Sequence, residues 1–295
     1  MDYSGKIVVG HDDSAASSLA VRYAARLALA AGKELRIIHA WIWPLLGKNV
    51  EPVDGVADSG LRNQALALLR GAAEEARAAA PGVQVGTSLI TGHARVVLGE
   101  ASRTADLVVV GHRGLGGFFG MLLGSVSLGL VTHAGCPVLV VRTEEEPEGP
   151  VLVGVDGSQA GAEAVVSGVR IARMRRSPLK IVHVHRVVDG RSAMSAQEAA
   201  QVLEEGVAQA RVELGEDAGI EVTGELVESR TVPQGLLAAA QEARIVVVGF
   251  QGQGRRRFGS TAHAIMHHAP GNAAICRHEH IPVETDEAPQ VVEES

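Results

Sequence analysis

The residues with the clearest chemical potential lie in a glycine-rich stretch, GHRGLGGFFGMLLGSVS, which runs from Gly111 to Ser127. Gly111, Gly114 and Gly124 allow the backbone to turn and to approach a ligand without an intervening Cβ. Ser125 follows at a predicted helix start, where unpaired N–H groups and the positive end of the helix dipole attract anions. The stretch therefore predicts a binding site for a phosphate chain. The glycines alone fit equally well a flexible connection in which Ser125 is an ordinary helix cap.

A carboxylate, Asp12, follows a short apolar run that ends at Gly10. In a doubly wound sheet this run and the one before Gly111 flank the reversal of strand order, so Asp12 should face the same crevice as the glycine stretch. There it would accept hydrogen bonds from a ribose hydroxyl or an adenine amine. The alternative is that Asp12 and Asp13 stabilise the start of the next helix. Together, the two features predict a nucleotide pocket.

These residues belong to a unit that occurs twice in the chain. IVVGHDDSAAS at Ile7 realigns with VLVGVDGSQAG at Val151, which places Asp12 on Asp156, and ADLVVVGHRG and HAGCPVLVVR recur later as ARIVVVGFQG and HAPGNAAICR. Such self-similarity predicts tandem domains. The predicted domains span residues 1–143, with the complete glycine loop, and residues 150–280, with a shortened loop, and an acidic mobile tail covers residues 281–295.

Short apolar runs alternate with alanine-rich amphipathic segments in each copy, which is typical of an α/β fold. Runs such as LVVV and IVVV are apolar on both faces and require helices on both sides of a parallel sheet. The first copy predicts strands at Lys6–Gly10, Glu34–Ala40, Val83–Ile90, Leu107–Gly111 and Pro137–Arg142. The second predicts them at Val151–Val155, Leu179–His185, Glu221–Val227, Ile245–Gly249 and Ala273–Arg277. We expect two doubly wound domains with helices on both faces.

Composition narrows the function further. The chain has 295 residues, a net charge of -7 and 3% aromatic residues, which argues against nucleic-acid binding. No apolar run is long enough for a membrane span and no signal peptide is evident, so we expect a cytoplasmic protein without membrane contact. No P-loop, dinucleotide fingerprint or serine-hydrolase elbow is present.

The spacing G-x2-G-x9-G-[ST] at Gly111, Gly114, Gly124 and Ser125 resembles the ATP-binding signature of the universal stress proteins. The resemblance covers both copies and implies tandem five-stranded, Rossmann-like parallel sheets in the order 3-2-1-4-5, bound ATP with Mg or Mn, and a regulatory role in the stress response. By motif position it assigns Asp12 to the ribose and adenine end, the backbone of Ala40 to the base, and Val110 to the pocket lining. The residues around ribose and phosphates would be Gly111, Gly114, Gly124, Ser125, Val126 and Ser127.

The second copy departs from this pattern. Its equivalent residues are Asp156, Val184, Gly249, Gly252, Gly259 and Ser260, but only six residues separate Gly252 from Gly259, where the family has nine. Three of those six are Arg255, Arg256 and Arg257, which would either pair with phosphate or form a solvated basic turn. The second site is thus predicted to be altered or empty.

Several functions stay open at this point. We expect a regulator that changes its contacts with a protein partner of unknown identity when ATP binds; a slow ATPase or phosphotransferase using His112 and Arg113, and a nucleotide-free scaffold, are the alternatives. His263, His267 and His268, with His278 and His280, are either surface histidines or metal ligands. Pairing of Val138–Val141 with Ala273–Cys276 would form an internal pseudo-dimer, and the same reasoning allows a homodimer of the whole chain, which nothing in the sequence fixes.

Overall fold

A computed structural model describes residues 2–41, 57–114, 124–144, 148–215, 219–251, 259–277 and 290–292. The strands are β1 Lys6–Gly10, β2 Glu34–Trp41, β3 Val85–Thr91, β4 Leu107–Gly111, β5 Val138–Val141, β6 Val151–Val155, β7 Leu179–Arg186, β8 Val222–Ser229, β9 Ile245–Gly249, β10 Asn272–Cys276 and β11 Gln290–Val292. The helices are α1 Ala15–Ala31, α2 Ala57–Ala79, α3 Ala94–Ala101, α4 Ser125–His133, α5 Gln159–Arg175, α6 Ala196–Leu214, α7 Val232–Ala239 and α8 Ser260–His268. The strands and helices alternate as an α/β fold requires, which confirms the predicted class.

The chain divides into two compact units. The first comprises residues 1–133 and 282–295, and its strands follow the order β3-β2-β1-β4, with β11 antiparallel to β3 at the outer side. The pairs β1–β2, β1–β4 and β2–β3 are parallel, so β1 and β4 both end on the same edge of the sheet. That edge is where Asp12 and the glycine stretch begin.

The second unit comprises residues 134–281 and has the order β8-β7-β6-β9-β10-β5. Its five strands β6 to β10 are parallel and follow the predicted order 3-2-1-4-5, whereas β5 joins antiparallel to β10, with Val140 opposite Ala273. By its contacts β5 therefore belongs to this unit, although the first sequence repeat extends to about residue 143. The strand contact expected from Val138–Val141 and Ala273–Cys276 is present.

Asn272 extends the β5–β10 ladder with its side chain. Its amide oxygen accepts the backbone N–H of Arg142 at 2.8 Å, and its amide nitrogen donates to the carbonyl of Thr143 at 3.1 Å. The Arg142 guanidinium donates to the carbonyls of Gly271 and Met266, and burial lowers its pKa to about 10. A fully buried amide and a largely buried guanidinium thus bond to backbone groups instead of remaining unsatisfied.

Local sequence explains where the helices start. Ser14 and Ser158 cap α1 and α5 by accepting the N–H of Ser17 and Gly161, and Ser195 forms a capping box with Glu198 at α6. The cores combine the strands with the inward-facing residues of the helices, such as Leu27, Leu130 and Ile171, and β4 is buried along its whole length. Cys136 and Cys276 are both buried and do not form a disulfide bond with each other.

Two further predictions from the sequence concern membrane spans and the acidic tail. None of the helices in the described ranges is long and apolar enough to cross a bilayer. In the acidic tail, for which the sequence predicts mobility, Gln290–Val292 form β11 and pair with Leu89–Thr91 of β3.

Candidate functional site

The first repeat holds Asp12 just beyond the end of β1. The Asp12 Oδ1 atom accepts hydrogen bonds from the backbone N–H of Ser14 at 3.2 Å and from the Ser14 hydroxyl at 2.6 Å. Ser14 is the capping residue of α1, so Asp12 supports the helix start through it, and the Asp12 N–H also donates to the Ser17 hydroxyl at 3.2 Å. The other carboxylate oxygen, Oδ2, lies against Gly114 of the glycine stretch. The structure therefore brings the two sequence-predicted features into contact.

Close approaches require two of the three glycines of the first repeat, and the third closes the loop through its N–H. A Cβ on Gly111 would lie 2.5 Å from the carbonyl oxygen of Ala16, and one on Gly114 would overlap Asp12 Oδ2. The Gly124 N–H donates to the carbonyl of His112 at 2.8 Å and closes the loop at its base. Residues 115–123, between these ends, lie outside the described ranges. The loop is thus fixed at both ends, at the edge where β1 and β4 terminate.

Two serines at the start of α4, Ser125 and Ser127, lie in different environments, although the sequence places both near the phosphates. Ser125 is the first residue of the helix and is exposed, so its hydroxyl and the N-terminal amides are open to an anion. Val126 is partly buried. Ser127 is only 3% exposed and donates its hydroxyl to the Gly111 carbonyl at 2.8 Å. Ser127 therefore already holds β4 to α4, and Ser125 is the better phosphate donor of the two.

The base end of the first site contains two histidines. The His39 Nδ1 atom lies 2.8 Å from the His11 carbonyl oxygen, which can only accept, so Nδ1 carries the proton. This bond fixes β2 beside the residue that precedes Asp12, next to the predicted base-contacting residue Ala40. Val110 is 4% exposed, so most of its side chain packs into the core.

His11 itself is 5% exposed and its Nδ1 atom lies 3.0 Å from the Ser17 hydroxyl. Burial lowers the pKa of the imidazole, and the negative charges of Asp12 and Asp13 oppose part of this change.

The second repeat reproduces the strand-end geometry. Asp156 accepts the N–H of Ser158 at 3.0 Å and also its hydroxyl, as Asp12 does with Ser14. A Cβ on Gly249 would lie 2.6 Å from the Ala160 carbonyl oxygen, and the Gly259 N–H donates to the Phe250 carbonyl at 3.1 Å. The shortened loop is therefore closed by the same backbone bond as the longer one. Gly252 and Arg255 to Arg257 lie outside the described residues.

A cavity of about 840 Å³ opens at the carboxyl ends of β6 and β7 in the second unit. Its lining combines acidic, basic and imidazole groups with apolar ones: Asp156, His183, Val184, His185, Arg186, Val188, Asp189, Arg191, Ser192, Ala193, Met194 and Val232. This volume suits a nucleotide-sized ligand. Two of the sequence-predicted residues of the second repeat, Asp156 and Val184, line it. Ser260, at the start of α8, is exposed.

The comparisons with known proteins cover both repeats and identify the family. A sequence model of the universal stress protein family matches residues 4–142 and 149–277. The chain belongs to the universal stress protein family. A universal stress protein of Mycobacterium tuberculosis is 34% identical over 268 residues, which cover 84% of this chain and 87% of that protein. One from Mycobacterium bovis is 29% identical over 290 residues, covering 92% and 96%.

The solved structures include a fold neighbour over both repeats. The crystal structure of a universal stress protein from Archaeoglobus fulgidus superimposes with a TM-score of 0.70 at 23% identity, covering 93% of this chain and 98% of that chain. At this identity the match shows the fold. The resemblance drawn from the glycine spacing is thus confirmed for the family and for its tandem arrangement.

Sequence reasoning missed part of the universal stress protein site. His183 donates from Nδ1 to the Val155 carbonyl at 2.9 Å, which repeats the His39 contact with His11. The available signal was the repeat itself, since His39 and His183 are separated by the same interval as Asp12 and Asp156. The wall of the cavity formed by Val188 to Met194 had no such signal, because the matching part of the first repeat has a different sequence.

Proposed function

We propose that this universal stress protein is an ATP-binding regulator of the stress response, in which bound nucleotide changes the conformation and the contacts with a protein partner. The observation that carries the proposal is the contact of Gly114 with the Asp12 carboxylate, which joins the glycine loop to the end of β1. A carboxylate for ribose then lies beside a loop and a helix start that suit phosphates. Binding to the folded state alone stabilises it by mass action, which makes the conformation depend on cellular ATP.

The proposed roles follow the positions of the residues. Asp12 Oδ2 contacts the ribose, the backbone of Ala40 contacts the base, and Val110 borders the base. The exposed Ser125 hydroxyl and the N–H groups that begin α4 contact the phosphates. Gly111, Gly114 and Gly124 surround the ribose and phosphates, since Gly111 and Gly114 allow the loop to lie against Ala16 and Asp12 and Gly124 closes it, and Ser127 holds the loop in place through the Gly111 carbonyl. Val126, next to Ser125 in the first turn of α4, also lies near the ribose and phosphates in this proposal.

A divalent cation, Mg or Mn, would accompany the phosphates. In the described parts of the chain, no three His, Cys, Asp or Glu side chains are grouped to hold a metal ion. The cation in this proposal is therefore held by phosphate oxygens and water, as is usual for Mg²⁺.

The second domain is proposed as a weaker or altered nucleotide site. Asp156, Gly249, Gly259 and Ser260 have the same local arrangement as their first-repeat counterparts, and Val184 lines an open cavity together with Asp156. The loop between Gly252 and Gly259 is three residues shorter than in the first repeat, which is the basis for expecting a different affinity for the phosphates.

The direct test is to identify and count the nucleotide. Protein purified from cells is extracted with acid, and the released compounds are separated and quantified per chain. The nucleotide-free protein is then titrated calorimetrically with ATP, AMP and cAMP, with and without Mg²⁺. One ATP per chain supports the proposal with a single working site, and two support a working second site. Absence of adenine nucleotide together with no measurable binding would refute it.

An ATPase is separated from a regulator by single-turnover kinetics. Phosphoryl transfer requires a group that orients the attacking water and charge that neutralises the phosphate, and His112 and Arg113 at the end of β4 are the candidates. A regulator retains bound ATP over its binding lifetime in both wild type and His112→Ala. Phosphate release that His112→Ala abolishes would instead favour the enzyme.

A further inference from the structure

Helix α8 of the second repeat carries three histidines, and only one of them has a histidine counterpart in α4 of the first repeat. Alignment of the two helices places His263 on Leu128, His267 on Thr132 and His268 on His133. His263 and His267 are therefore a feature of the second repeat alone.

The two unmatched histidines lie side by side on α8. Residues four apart share one face of a helix, and the ring centroids of His263 and His267 are 4.3 Å apart with an angle of 34° between their planes. The ring of His268 is 6.2 Å from that of His267. His263 is exposed and His267 is partly exposed, so an ion from solvent can reach both rings.

Burial, which is the main cause, and the neighbouring His263, His268 and Arg142 lower the pKa of His267. The Arg142 charge also repels a bound cation, although its guanidinium is directed to the carbonyls of Gly271 and Met266.

We propose that His263 and His267 form a two-histidine site for a borderline first-row transition cation of the Zn²⁺, Ni²⁺ or Cu²⁺ class. Imidazole nitrogen prefers these ions, whereas Mg²⁺ prefers oxygen ligands. Because the described residues contain no group of three His, Cys, Asp or Glu side chains suited to a metal, water completes the coordination. The bound ion links two successive turns of α8, the helix that begins at Ser260. This site does not depend on nucleotide binding.

The test is calorimetric titration of the untagged, chelator-treated, nucleotide-free chain with Ni²⁺ at pH 7.5. We expect one saturable site in the wild type. His263→Ala and His267→Ala should each lower the affinity of this site by about tenfold or more, because each variant leaves a single imidazole. Cu²⁺ binds more tightly than Ni²⁺, and excess Mg²⁺ does not compete. The matched controls are His268→Ala, on the same helix, and the double variant His278→Ala with His280→Ala. Both retain the wild-type affinity.

A second measurement guards against altered folding in the variants. Ni²⁺ raises the unfolding midpoint of the wild-type protein and of both controls, and this rise is absent from His263→Ala and His267→Ala, whose midpoints without metal stay close to wild type. The proposal is overturned by wild-type affinity in both variants, by no saturable binding in the wild type, or by loss of binding only in a control.

Discussion

The two repeats share the contacts that hold the backbone of the site. In both, a glycine at the end of the fourth strand abuts an alanine carbonyl, and an N–H at the end of the glycine loop bonds to the residue after that strand. In both, a histidine donates from Nδ1 to the carbonyl before the aspartate. The side chains around these contacts differ. His11 corresponds to Val155, Ser17 to Gly161, and the half-exposed His112 to the buried Phe250.

This difference distinguishes the residues that the fold requires from those that a bound ligand would require. The loop of the second repeat is three residues shorter, yet its ends meet through an equivalent hydrogen bond, so the fold tolerates the deletion. The shared residues are therefore needed for the strand edge itself. The residues that differ are the ones able to give the two sites different affinities.

The largest effect should come from a side chain at the shared glycine. Gly111→Val places a Cβ against the Ala16 carbonyl and forces a backbone shift, which should cost about 3 kcal/mol or more in the free energy of unfolding and abolish nucleotide binding by the first repeat. Gly249→Val makes the same clash with Ala160 and should cost a similar amount in the second unit.

Urea unfolding distinguishes the two variants. Both tryptophans, Trp41 and Trp43, belong to the first repeat, so their fluorescence reports on its unfolding. A Cβ on Gly99 would meet nothing within 4 Å, so Gly99→Ala is the control and should stabilise α3 by up to about 1 kcal/mol. A wild-type midpoint in Gly111→Val would show that the strand edge does not require glycine.

Removal of the exposed serine hydroxyls tests whether the two repeats bind phosphate with the same strength. Ser125→Ala should weaken ATP binding by about 1.5–3 kcal/mol, because hydrogen bonds to charged groups have this strength. Ser260→Ala should have a smaller effect, since the shortened loop changes where Ser260 meets the phosphates. Calorimetry with ATP measures both. Unchanged affinity in Ser125→Ala would remove the start of α4 from the site, and equal losses would make the two sites equivalent.

The fold was predictable from the sequence because its signals are local and repeated. β1, β4, β6 and β9 have the predicted bounds, since each is a continuous apolar run bounded by glycine or polar residues. The placement of Asp12 beside Gly114 also followed, because parallel strands fix which edge their ends share. The different environments of Ser125 and Ser127 could not be predicted, because the sequence does not fix how α4 is rotated against the end of β4. Ser125 is exposed, whereas the Ser127 hydroxyl donates to the Gly111 carbonyl.

Loss of the shared histidine contact should have a moderate effect in each repeat. His183→Phe fills the same buried space but leaves the Val155 carbonyl without its donor, which should lower the free energy of unfolding by about 1 kcal/mol. His39→Phe should do the same for the His11 carbonyl. Urea unfolding, with tryptophan fluorescence for the first repeat and circular dichroism for the whole chain, measures the losses. Wild-type stability in both variants would mean that these bonds contribute nothing net.

The smallest expected effect is a pH dependence of the stability caused by His11, a buried histidine whose counterpart in the second repeat is Val155. Burial lowers the pKa of His11 below its ordinary value of 6.5, so between the two values the unfolded chain takes up a proton that the folded chain does not. The free energy of unfolding must therefore fall as pH decreases below 6.5, by at most about 1.4 kcal/mol per pH unit. His11→Val, which introduces the residue found at position 155, removes this contribution.

The expected signature is a difference that grows with acidity. Relative to wild type, His11→Val should gain stability as the pH falls below 6.5 and show a constant difference well above pH 6.5, in urea unfolding followed by tryptophan fluorescence. His267, whose pKa burial also lowers, is present in both chains and cancels in the comparison. A difference that does not vary with pH would mean that His11 titrates alike in the folded and unfolded chains. The regions at the ends of β1 and β6 would then not differ in how their stability changes with pH.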